Sequence, residues 1–192
     1  VSPGDAVVLV TPIDSAAPKG RLILPQQQTI RSLLDAGCIP VVTRETELAR
    51  TLSLLREPPA LVVTDSQAFG MVSRIVPDSV RLTSFSILFA RYKGDLRTAV
   101  LGAAALRQLK DGDTVLISEG CTHHRQCGDI GTEKLPRWVR QYTGRDIRFV
   151  FTSGGEFPEN LSPYALIIHC GACMLGEREM QSRLRRAAEQ SI

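Results

Sequence analysis

At 192 residues, with 43% hydrophobic and 22% charged side chains, the chain has an ordinary soluble composition. It can form one domain or two small ones around a sizeable core. A net charge of +3 is too small to argue for nucleic acid. No apolar run approaches the roughly 20 residues that a bilayer-spanning helix needs. The start, Val1-Ser2-Pro3-Gly4-Asp5, is polar and carries no secretory signal. It has no initiator Met, so a piece cut or processed from a longer chain is expected.

The continuous apolar run at residues 6–10 predicts a strand buried on both faces. Pro25 opens a helix with Ile30, Leu33 and Leu34 on one face, and Gly37 ends it. A strand at 39–42 and a helix at 45–55 follow. Pro58-Pro59 breaks the chain before a strand at 60–63. A short helix at 67–74 and a strand at 80–82 complete a first α/β unit. In the second unit, residues 90–109 contain a long helix with Leu96, Val100, Ala103 and Leu106 to one side. A turn at 110–113 leads to a strand at 114–117. A helix follows from Pro136 to about Tyr142, then a strand at 148–151, a Gly/Pro/Ser-rich loop at 153–163, a strand at 165–168 and a charged helix at 174–190. The predicted class is α/β: two small units, residues 1–85 and 86–192, each with a mainly parallel sheet flanked by helices.

The chemistry concentrates in two short blocks, Cys121-Thr122-His123-His124 and His169-Cys170-Gly171-Ala172-Cys173. With Cys127, they hold seven of the eight cysteines and histidines in the chain, which has five of the former and three of the latter. Both follow predicted strands, at the edge where open α/β sheets bind ligands. The second also precedes a helix, whose N-terminal amides favour thiolates. An odd cysteine count fits reduced thiols in the cytoplasm better than a disulfide scaffold. Cys121, Cys170 and Cys173, with His123 or His169 as a fourth ligand, suit either tetrahedral zinc or an iron–sulfur cluster with three irons on thiolates. His124 reads as a solvated or supporting histidine and Cys127 as a loop thiol.

Glu119-Gly120-Cys121-Thr122-His123-His124-Arg125-Gln126-Cys127, the following Asp129-Ile130-Gly131-Thr132 and Lys134-Leu135-Pro136-Arg137-Trp138, and the later Ile167-Ile168-His169-Cys170-Gly171-Ala172-Cys173-Met174 resemble HydF, the family of FeFe-hydrogenase maturation factors. The front half resembles it too, in the stretch from Val10-Thr11-Pro12 to Lys19-Gly20-Arg21-Leu22. Here 45 residues separate His123 from His169. The resemblance implies a dimerisation domain and a cluster-binding domain. It also implies a 4Fe–4S cluster on Cys121, Cys170 and Cys173, with His123 and His169 as motif histidines near a labile fourth position. The implied role is that of a scaffold or carrier, which takes the two-iron subcluster precursor from radical-SAM maturases and delivers it to apo FeFe-hydrogenase. A homodimer is expected, with a tetramer also open. No Gly-x-x-x-x-Gly-Lys-Ser/Thr segment occurs and none of the lysines follows a glycine, so the family's GTPase loop is not in this chain.

Other features read as structural. Lys19-Gly20-Arg21 reads as a solvated turn, residues 178–186 as a charged helix face, Trp138 as a packing residue with a wall of the cluster pocket as the alternative, and Cys38 as a small buried hydrophobe. No separate Ser/His/Asp or Cys/His pair suggests nucleophilic catalysis, so no catalytic residue is assigned. The readings in competition are therefore a non-catalytic iron–sulfur scaffold, a structural zinc domain that binds a partner, and an enzyme using a redox thiol at Cys127.

Overall fold

The computed structural model describes residues 1–13, 22–120, 130–170 and 175–192. The chain divides into two units, Val1–Leu88 and Phe89–Ile192. The first contains β1 (Ala6–Val10), α1 (Leu24–Asp35), β2 (Ile39–Thr43), α2 (Leu48–Leu54), β3 (Leu61–Thr64), the single turn α3 (Phe69–Val72) and β4 (Leu82–Ser84). Helix α4 (Phe85–Lys93) carries the chain across the division. The second unit continues with α5 (Leu96–Ala105), β5 (Thr114–Glu119), α6 (Leu135–Thr143), β6 (Arg148–Ser153), β7 (Leu166–His169) and α7 (Glu177–Glu189).

Among the described residues every strand pairing is parallel, in line with the expected mainly parallel sheets. The first sheet has the order β2-β1-β3-β4 and the second β6-β5-β7. In the first unit, β1 explains its own apolar sequence. Side chains alternate across a sheet, and this strand is covered on both faces. Val8 and Val10 pack with Leu48 of α2 and Val72 of α3. Val7 and Leu9 face the other way, onto Leu33 of α1, Cys38 and Phe85. Cys38 is buried there as a free thiol, as its sequence context predicts. Leu34, expected beside Leu33 on the buried face of α1, is instead 55% exposed, because the inward stripe runs through Gln26, Ile30 and Leu33.

The second sheet follows the same logic up to its carboxyl end. Val115 and Ile117 of β5 share a face with Phe149, Phe151, Leu166 and Ile168, packed on Val139 of α6. Ser118 lies on the opposite face and is fully buried. The register pairs it with Thr152 of β6 and His169 of β7, so three polar side chains sit at one level across the sheet.

The long helix expected at 90–109 is two helices. Gly94 closes α4 by donating its N–H to the carbonyl oxygen of Ala90 at 3.1 Å, in a turn so tight that a Cβ there would press on that oxygen. Asp95 then caps α5. Its carboxylate accepts the N–H groups of Arg97 at 2.9 Å and Thr98 at 3.3 Å, and the Thr98 hydroxyl at 2.8 Å. Among the described residues, no helix is long and apolar enough to cross a membrane.

Candidate metal centre

The site is built at the carboxyl ends of β5 and β7, where the chain runs from strand into the two blocks. Parallel pairing aligns these ends: Ser118 lies beside His169, and the Cys170 N–H donates to the Ser118 carbonyl oxygen at 3.0 Å. One residue beyond β5, the Gly120 N–H donates to Cys170 Sγ at 2.9 Å. Cys170 is half-buried. An amide directed at sulfur stabilises the thiolate over the thiol, which is the form that binds metal. The same kind of hydrogen bond tunes sulfur ligands of iron–sulfur clusters. Gly120, the residue before the first block in sequence, is thus tied to the first cysteine of the second across 50 positions of sequence. Among the described residues Cys170 and His169 are the soft donors at this edge, and no group of three or more His, Cys, Asp or Glu gathers to hold a metal; the thiol itself is of the type that does. Cys121, His123, His124, Cys127 and Cys173 lie outside the described residues, as do residues 19–21.

His169 ends β7 with both ring nitrogens engaged. Nε2 lies 3.0 Å from Arg183 Nη1, and Nδ1 lies 2.9 Å from the carbonyl oxygen of Cys170. A guanidinium has donors and no acceptor. Nε2 therefore accepts, and the ring proton sits on Nδ1, which donates to the carbonyl.

Arg183 is the residue that sequence reasoning missed. The charged run from Arg178 to Arg186 reads as a solvated face, yet Arg183 is 2% exposed. Its Nε donates to Glu179 at 2.8 Å, Nη1 to Ser118 Oγ at 3.1 Å and to His169, and Nη2 to the Gly154 carbonyl at 2.9 Å. The Phe157 ring centroid lies 5.0 Å from its guanidinium carbon. Ser118 Oγ also accepts from the Thr152 hydroxyl at 3.1 Å, which ties β6 into the network. The available signal was helical spacing: Arg183 stands three residues after Met180, the other buried residue of α7.

Two further features shape this edge. The Glu119 side chain, buried at the end of β5, lies against Gly131, where any Cβ would collide with its carboxyl group. A cavity of about 480 Å³ runs beside β7, lined by Lys93, Thr98, Trp138, Phe157, His169 and Arg183 among others. Trp138, read from the sequence as a packing residue or a pocket wall, is 40% exposed and lines that cavity. Lys93 is nearly buried, donating to the Leu175 carbonyl at 2.9 Å with its ammonium 5.0 Å from the Phe89 ring centroid.

Fold and edge together define a class: two parallel α/β units, the second of which presents a half-buried cysteine at aligned strand ends. The family model described as "Hydrogen maturase F dimerization domain" matches residues 1–94, and that described as "Hydrogen maturase F tetramerization domain" matches residues 97–192. Together they span nearly the whole chain, and the protein belongs to the hydrogen maturase F family. No curated protein matches it.

Proposed function

We propose that this chain is a non-catalytic iron–sulfur scaffold and carrier in FeFe-hydrogenase maturation. In this reading Cys121, Cys170 and Cys173 hold a 4Fe–4S cluster as thiolates, with His123 and His169 as candidates for the fourth position. The observation that carries it is the Gly120 N–H to Cys170 Sγ hydrogen bond, which ties the end of β5 to the first cysteine of the second block. Family membership supports the maturation role. When bound, the cluster supplies one iron corner without a thiolate, where a cargo fragment can attach. The cargo is the two-iron subcluster precursor, received from radical-SAM maturases and delivered to apo FeFe-hydrogenase in the cytoplasm.

The scaffold acts as a homodimer that pairs further into a tetramer. The names of the two matched domains support this. So does α5, whose Val100 and Leu101 are 62% and 64% exposed on a helix with no buried residue. Burying such exposed apolar side chains against a second copy would take them out of water. The cluster assignment is tested by anaerobic reconstitution with iron and sulfide, read by absorption near roughly 400 nm and by EPR after reduction. A colourless protein that holds stoichiometric zinc and refuses iron and sulfide would replace this reading with a structural zinc domain.

A further inference from the structure

We propose that Arg183 is a latch that withholds His169 from the metal centre, so that the corner left by three cysteines stays open to an exchangeable ligand. The proposal rests on the three-cysteine cluster reading above; it takes His169 out of the candidates for the fourth position and assigns a positioning role to a residue outside both blocks.

The argument begins with lone pairs. A neutral imidazole has one lone pair to offer a metal, and it lies on the nitrogen without a proton. In His169 that nitrogen is Nε2, and it accepts from Arg183 Nη1 at 3.0 Å. The other nitrogen donates to the Cys170 carbonyl oxygen. His169 therefore has no nitrogen left for iron while the contact with Arg183 holds, although its neighbour Cys170 is a ligand in the cluster reading.

The latch is fixed from behind. Arg183 is 2% exposed, and four separate partners on α7, β5, β7 and the segment after β6 accept its N–H groups. Two of them, Ser118 and His169, are register partners across the sheet, so the backbone sets their spacing before the side chains meet. Releasing His169 would require either a shift of this buried fork or the loss of one of its partners. A buried cation left with fewer acceptors is costly, which keeps the latched arrangement favoured. An arginine serving only to close the sheet end would need no imidazole partner at all. Here it takes the single group on β7 that could compete for the metal.

The experiment is nitrogen-coupled pulsed EPR on the reduced cluster, in the full chain carrying His123→Ala so that His123 contributes nothing. Four chains are compared: this parent, His169→Ala, Arg183→Met, and Arg183→Met with His169→Ala. Methionine fills the buried volume without donors. The expected result is no difference between the parent and His169→Ala, and a new imidazole nitrogen coupling in Arg183→Met that vanishes in the double variant. Added ¹⁵N-imidazole should couple to the cluster in the parent and compete poorly in Arg183→Met. A coupling in the parent that His169→Ala removes overturns the proposal, and this comparison stands even if Arg183→Met fails to fold. A loaded Arg183→Met cluster with no new coupling overturns it as well. Failure of the wild-type chain to take up any cluster would instead overturn the scaffold reading on which the proposal rests.

Discussion

The Gly120 N–H lies 2.9 Å from Cys170 Sγ, joining the end of β5 to the residue after β7. No turn or helix requires this contact. It exists because parallel register sets Ser118 beside His169 and the chain leaves both strands at the same level. A single hydrogen bond contributes about 1 kcal/mol net. Replacing Cys170 by Ala in metal-free protein should therefore speed hydrogen exchange at the Gly120 amide by roughly five- to tenfold. NMR exchange of that amide checks it, and an unchanged rate would mean the sulfur is not its acceptor in solution.

The Glu119 side chain lies against Gly131, on the segment that leads into α6. Gly131→Ala forces a methyl group into a carboxyl group that is itself buried. Such overpacking costs about 1–3 kcal/mol. Because one pair of residues carries the conflict, truncating Glu119 in the same chain should restore part of the loss. Thermal or urea unfolding of the two single variants and the double variant measures this coupling. Additive losses would show that Gly131 is constrained by something else.

On the exposed side of α5, Val100→Glu together with Leu101→Glu should leave monomer stability within about 0.5 kcal/mol, since both side chains are solvent-facing in the single chain. The same change should convert tetramers to dimers, because charge placed in a contact between copies loses its hydration. Light scattering on the intact protein reads the outcome. Tetramers that persist would move the contact away from α5.

The cap of α5 makes its start acid-sensitive. Hydrogen bonds from the Thr98 hydroxyl and amide, helped by the Arg97 N–H, hold the Asp95 carboxyl below its ordinary value of 3.8. A carboxylate with a lowered folded-state pKa adds stability that is complete above the unfolded value and fades as pH falls through the folded one. The helix should thus begin to loosen only below about pH 4. Asp95→Asn, which keeps an accepting oxygen but cannot titrate, should flatten that acid limb in a circular dichroism titration. An Asn variant with the same acid profile would assign the transition to other carboxylates.

Much of this architecture was legible because strands buried on both faces have no polar option. Val7 through Val10 and Val115 through Ile117 could hardly be anything else in a chain alternating with helices. Cys170 was placed correctly at a strand end for the same reason. The break at Gly94-Asp95 was written in the sequence as a glycine followed by a capping residue, but the apolar spacing from Leu96 to Leu106 masked it. Arg183 was hidden more deeply. Its burial depends on Ser118, Gly154 and His169, which meet only after three strands and a loop have assembled, and a neighbourhood of exposed arginines and glutamates gives no local sign of it.

Reconstitution of the wild-type chain beside Cys170→Ala, under strictly anaerobic conditions with iron and sulfide, tests the central claim most directly. The account predicts a 4Fe–4S absorption and EPR signature in the wild type that Cys170→Ala abolishes while the fold is retained. An undiminished signature in Cys170→Ala, or none in the wild type, would contradict it.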